Sequence, residues 1–247
     1  GCAGNRKRRG REMTAIFKRE LKAYFDSPIG YILIAIFCCL TGGYFALACV
    51  LSLNSDLAPV FQFISTWVLM VFAPILTMKL FSEERKLKTD QLLITSPVSL
   101  TGIVMGKFLS AMCMFLIAMC INIVYLLVAT IFGHPLIASF IGNFIGVTLL
   151  AGAVISMGLF ISSLTENQVV AAFASFGLVI GLLLLSSLSS SVTNPVLASV
   201  INWVSIYNRF QEFNYGVCSV ESLIYYISIT VIFLFLTVRV LEKRRWS

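Results

Sequence analysis

Charge is what this sequence has least of. Only 12% of its residues are Asp, Glu, Lys or Arg, while 59% are hydrophobic and 20 are Phe. A soluble domain carries about 25% charged residues, and half of that cannot clothe a water-facing surface around so much apolar bulk. Histidine is almost missing as well: His134 is the single one. Cysteines are present, but never in a Cys-x-x-Cys spacing. A structural or catalytic metal site draws on three or four such ligands, so no metal is expected. Cys38, Cys39, Cys49, Cys113 and Cys120 lie within or at the edge of apolar runs, where a small thiol packs as an apolar group. Cys2 and Cys218 stand alone, and no disulfide framework is indicated. Short alternating segments, the mark of a membrane β-barrel, do not dominate. These absences leave an integral membrane protein that spans by helices.

Six apolar segments are long enough to do so: residues 28–51, 57–80, 102–132, 136–164, 168–188 and 222–241. Each reaches the ~20 residues that cross ~30 Å of hydrocarbon, and the third and fourth have length to tilt. The basic residues set the orientation. With the N-terminus in the cytoplasm, every one of the 18 Lys and Arg except Arg209 falls on the cytoplasmic side, a strong positive-inside bias. That distribution places the net charge of +7 beside anionic lipid and calls for no nucleic acid.

The ends of the chain read differently from its spans. Residues 1–12 are expected to be a disordered basic arm, with Met13 a candidate natural start, and no cleavable signal peptide is visible. Over residues 14–25, Ile16, Phe17, Leu21, Tyr24 and Phe25 share one helical face while Lys18, Arg19 and Lys22 take the other. That is an amphipathic interfacial helix. Asp26-Ser27-Pro28 then supplies a cap and a proline at the start of the first span. Near the other end, Asn194-Pro195 breaks the fifth helix. Residues 196–206 are apolar but too short to span, and read as a re-entrant or surface helix.

The one strongly charged interruption of the spans is the stretch 82–107. Glu83, Glu84, Arg85, Lys86, Lys88 and Asp90 cannot sit in hydrocarbon. Leu87, Gln91, Leu92, Leu93 and Ile94 give a short helix an apolar side, Ser96-Pro97 ends it, and Ser99 or Thr101 can cap the next helix. Such a helix, held between two spans, suits the groove of a partner. On the residues alone, a solvated loop resting its apolar side on lipid is slightly favoured. Gly102-Ile-Val-Met-Gly106-Lys107-Phe108 imitates a phosphate loop but fails twice. It is one residue short before Gly-Lys, and Phe108 stands where magnesium needs Ser or Thr. Gly142-x-x-x-Gly146 and Gly177-x-x-x-Gly181 permit close helix approach, more naturally within one subunit than between two. Glu166 falls in a short turn between the fourth and fifth segments. Asn122 is a candidate for a bond to another helix, and His134-Pro135 marks an outer turn. An intramembrane protease is disfavoured: Ser156 lies in a span but His134 in a loop, and no two Asp share the membrane interior.

Four stretches together resemble one family. They are Phe17-Lys-Arg-Glu-Leu-Lys-Ala-Tyr-Phe-Asp-Ser-Pro-Ile-Gly-Tyr31, the loop from Glu83-Glu-Arg85 to Ser96-Pro-Val98 with Gly106-Lys107, Ser162-Ser-Leu-Thr-Glu-Asn-Gln168, and Phe210 to Gly216 with the residues up to Tyr226. In this order, with six spans, the chain from Met13 onward resembles the permease subunit of a type-two (type V exporter) ABC transporter, closest to the gliding-motility-like permeases. Lys88-Thr89 departs from a glycine that much of the family has before the loop helix.

The resemblance implies an all-helical membrane fold: six spans, an N-terminal elbow helix, a cytoplasmic coupling helix and a broken extracellular hairpin before the last span. It implies that Glu83, Glu84, Arg85, Leu87, Asp90, Leu92, Leu93 and Thr95 face an ATPase. Thr165, Glu166 and Asn167 would form a second cytoplasmic contact, and Pro195, Phe210, Glu212 and Gly216 would belong to an external gate. It further implies two ABC ATPase subunits that carry the ATP and magnesium, a second permease chain, room for an auxiliary membrane or extracytoplasmic subunit, and a bacterial plasma (inner) membrane with both termini cytoplasmic. No cofactor and no catalysis are expected in this chain. The nearly uncharged spans favour a lipid-like or amphipathic cargo. A mechanotransmission subunit and a non-transport scaffold are the alternatives.

Overall fold

The computed structural model describes residues 2–86, 99–191, 205–214 and 219–245. Helix α1 runs over Cys2–Asp26. It buries Ile16 and Tyr24 and leaves Lys18, Arg19 and Lys22 exposed, as the amphipathic pattern requires. Its backbone is helical from Cys2 rather than disordered over the basic arm. Arg and Lys are good helix formers, and a helix already nucleated over residues 14–25 extends through them at little cost. At its end, Ser27 has an extended backbone and its Oγ accepts from the Ile29 N–H, with Pro28 at the first helical position. The corner is tight: a Cβ on Gly30 would lie 2.2 Å from the Tyr24 carbonyl oxygen, so only glycine fits.

Helix α2 (Pro28–Phe45) continues into a π-helical turn, Ala46–Val50. The short α3 (Ala58–Phe63) likewise passes through a π turn, Ile64–Val68, into α4 (Leu69–Lys86). The third apolar run is divided at Cys120 into α5 (Leu100–Met119) and α6 (Ile121–Phe132). The cause is local. Asn122 Nδ2 donates to the Met119 carbonyl at 3.0 Å, and the Ile123 N–H turns instead to Cys120 O at 3.1 Å. A side chain inserted into the ladder bends a helix in this way. Asn122 therefore bonds within its own run, not to another helix as its polarity within a span suggested. Helices α7 (Ile137–Leu164), α8 (Gln168–Ser191), α9 (Ile206–Asn214) and α10 (Val220–Arg245) complete the fold.

The fold is all-helical, and among the described residues six helices or helix pairs are long and apolar enough to cross a membrane: Pro28–Val50, Ala58–Ser82, Leu100–Ile131, Ile137–Leu164, Gln168–Leu188 and Val220–Arg244. Helix α7 is the most buried of them and packs against α4, α5, α8, α9 and α10. Phe37, Phe72 and Phe115 join α2, α4 and α5 through edge-to-face contacts with centroids 5.4–6.2 Å apart. Helix α1 lies along α5. The two small-residue patterns differ. Gly146 lies under the ring of Phe213 inside the subunit, whereas Gly177 and Gly181 on α8, the least buried span, have no atom of the described residues within 4 Å of a Cβ placed there. Packing within the subunit was expected for both and occurs only for the first.

Candidate functional site

Residues 87–98 join α4, described to Lys86, to Ser99, the extended residue before α5, whose side chain makes no capping bond. Of the expected contact residues, Leu87, Asp90, Leu92, Leu93 and Thr95 lie outside the described residues. Glu83 and Glu84 belong to the last turn of α4, with side chains outside the description. What the structure places is the root of the loop, and this root is densely tied to three other elements.

On one side stands α7 with the turn that follows it. Arg85 Nη2 donates to Glu166 Oε1 at 2.7 Å, across 81 positions of sequence. Glu166 is 69% exposed and Arg85 15%, so the pair contributes direction more than stability. Thr165 and Asn167 shape the turn that presents Glu166. Thr165 Oγ1 accepts from Asn167 N–H at 3.2 Å, and Asn167 Oδ1 accepts from Val169 N–H at 2.9 Å, capping α8. One turn deeper, the fully buried Ser82 and Ser162 meet. Ser162 Oγ accepts from the N–H groups of Phe81 and Ser82 at 3.2 and 3.3 Å, and Ser82 Oγ donates to Ser162 O at 3.1 Å. Below them Gly158 crosses Thr77 so closely that a Cβ would lie 2.4 Å from Thr77 Oγ1.

On the other side stand α1 and α5. Lys107, 1% exposed, donates from Nζ to Leu80 O at 2.5 Å and to Glu20 Oε1 at 3.3 Å, with the Phe81 ring centroid 5.1 Å away. Glu20 also pairs with Arg19 at 2.6 Å. Tyr24 Oη donates to Leu76 O at 2.9 Å. Sequence reasoning counted Lys107 as a flank of the loop, but it is a buried charge inside α5. The available signal was its place several residues into an apolar run, where a charge demands a partner. Nothing local named that partner, because Glu20 is 87 positions away. The arrangement holds helix backbone by side chains on two sides.

At the opposite end, Phe210 is buried on α9, while Pro195 and Gly216 lie outside the described residues, as does the Glu212 side chain. Helix α9 is held by Tyr226 Oη, which donates to Ile206 O at 2.7 Å, by Ser186 Oγ donating to Asn208 Oδ1, and by Phe213 over Gly146. Arg209 lies 4.6 Å from the Tyr225 ring, and burial pushes the Tyr207 phenol well above its ordinary value.

No curated protein matches the sequence. A family model described as ABC-2 family transporter protein matches residues 14–244, which takes in all six spans and the amphipathic part of α1. With its all-helical six-span architecture, the chain belongs to the ABC-2 family of transporter proteins, as a membrane-spanning permease subunit of an ABC transporter.

Proposed function

We propose that this permease works as an exporter-type half-transporter, driven by ATP hydrolysis on a separate ATPase subunit that grips residues 87–98. Two ATPase subunits and two permease chains form the working unit, in a bacterial inner membrane with both termini cytoplasmic. The observation that carries this reading is the bonding of the loop root. A pull on Lys86 reaches α7 and α8 through Arg85–Glu166 and Ser82–Ser162, and reaches α1 and α5 through Lys107. A loop that merely connected two spans would need no such anchorage. The exposure of Glu166 at the same end supports a second contact there. The exposed faces of the spans are almost wholly apolar, with Ile32, Leu127, Phe173, Val231 and Phe235 among the large side chains, and they suit a lipid-like or amphipathic cargo. No part of this reading assigns catalysis to this chain.

The test is to purify the tagged permease with its bound ATPase and to repeat this with the Leu92→Asp/Leu93→Asp double variant. Two carboxylates on the apolar side of the loop helix are expected to release the ATPase or to return its activity to that of the isolated subunit. Unchanged co-purification and unchanged activity would overturn the docking reading. A wild-type chain that recovers no ATPase would favour a scaffold.

A further inference from the structure

We infer that Lys107 is a positioning residue, a buried cross-tie that makes the two legs of loop 87–98 and helix α1 move as one unit. This rests on the coupling reading above. The legs are the ends of α4 and α5. Leu80 lies about 9 Å before the end of α4 and Lys107 about 10 Å after the start of α5, at 1.5 Å per residue. The Lys107–Leu80 O bond therefore links the legs at matched depth. Lys107 also extends the tie to α1 through Glu20 Oε1. A second rung lies beside it: Tyr24 and Glu20 are one turn apart on α1, and Leu76 O, which accepts from Tyr24, is one turn from Leu80 O, which accepts from the same Lys107 ammonium that meets Glu20. Helix α1 packs along α5, so these long side chains carry its connection across to α4.

A buried ion pair is a poor way to add stability, since apolar residues of equal volume commonly do as well or better. Its effect lies in register. The ammonium meets a carbonyl of α4 and a carboxylate of α1 together, and a slide of either helix by one turn would break one of these bonds. Lys107 thus permits rigid-body motion of the three elements and opposes their sliding.

The test places spin labels at Lys18→Cys on α1 and Lys79→Cys on α4, in a complex otherwise free of cysteine and reconstituted with its ATPase. The distance is read without nucleotide and in the vanadate-trapped state. With Lys107 present, it is expected to stay narrow and the same in both. Lys107→Met, which keeps the volume and removes the donor, is expected to broaden the distribution or to separate the two states. It should also bring the ratio of complex to isolated ATPase activity several-fold closer to one. Glu20→Gln, at a partly exposed position that leaves the core intact, should broaden the distance by a smaller amount, and Lys107→Arg should restore a narrow one. Wild-type distances in both Lys107→Met and Glu20→Gln overturn the inference, whatever happens to melting temperature. The distance does not require the ATPase to dock on residues 87–98. Failure of the Leu92→Asp/Leu93→Asp test would therefore remove the coupling reading and leave the cross-tie separately decided.

Discussion

Thr77 and Gly158 show how little space separates α4 from α7. Thr77 is β-branched and stiff, and its hydroxyl is committed to Ala73 O at 2.9 Å. A methyl at position 158 would meet Oγ1 at 2.4 Å and both Cβ and Cγ2 at 3.0 Å. The helices must part or Thr77 must leave its rotamer, which costs about 1–3 kcal/mol. Gly158→Ala is expected to lower the melting temperature of the detergent-solubilised protein, and adding Thr77→Ala should recover most of the loss. A double variant no better than the single one would place the strain elsewhere. This scale was the least legible in the sequence. Glu166 could be assigned to a turn from its place between two apolar runs, but its partner Arg85 could not, and neither could Ser162 as the acceptor for two α4 amides. Each pairing joins residues about 80 positions apart, and the fold alone brings them together. Lys107 was readable as a charge in the wrong solvent, yet not as a clamp.

Elements were far more legible, because a span announces itself by length and hydropathy and needs no partner to be recognised. All six stand where the apolar runs placed them. The breaks within them depend on details that hydropathy averages away: a π turn at Ala46–Val50, another at Ile64–Val68, and the Asn122 insertion at Cys120. Helix α9 is the instructive case. It is too short and too polar to span, and its position is fixed by what it covers. Phe213, fully buried, sits over Gly146, with its Cγ and Cβ 2.8 and 2.9 Å from where a Cβ would be. Phe213→Ala empties that seat at a cost of about 3–5 kcal/mol. A nine-residue helix does not hold its own fold and depends on such packing. We expect faster cleavage by an added protease between residues 205 and 214, with the other helices still protected. Equal cleavage rates for variant and wild type would mean that the hydrogen bonds from Tyr226 and Ser186 hold α9 without its aromatic anchor.

At the scale of the whole molecule, one sidedness organises everything. The loop root, the Glu166 turn, the start of α1 and the end of α10 gather at one end of the bundle, and the 51–57 loop and α9 at the other. The bias of Lys and Arg toward the first end supports the proposed cytoplasmic placement of that end. The buried charge of Lys107 stands within two or three turns of the same end, where the cost of a charge is lower than at the bilayer centre. Were the orientation reversed, the loop at 87–98 could not meet ATP or an ATPase at all, so topology decides the proposed function before any coupling assay. In a cysteine-free background, a single cysteine at Asn54, exposed in the 51–57 loop, is expected to react with a membrane-impermeant maleimide on intact cells. One at Glu166, equally open to solvent at the other end, should react only after the membrane is breached. Labelling of the Glu166 site on intact cells, with the Asn54 site protected, would invert the molecule and remove the ATPase from its proposed handle.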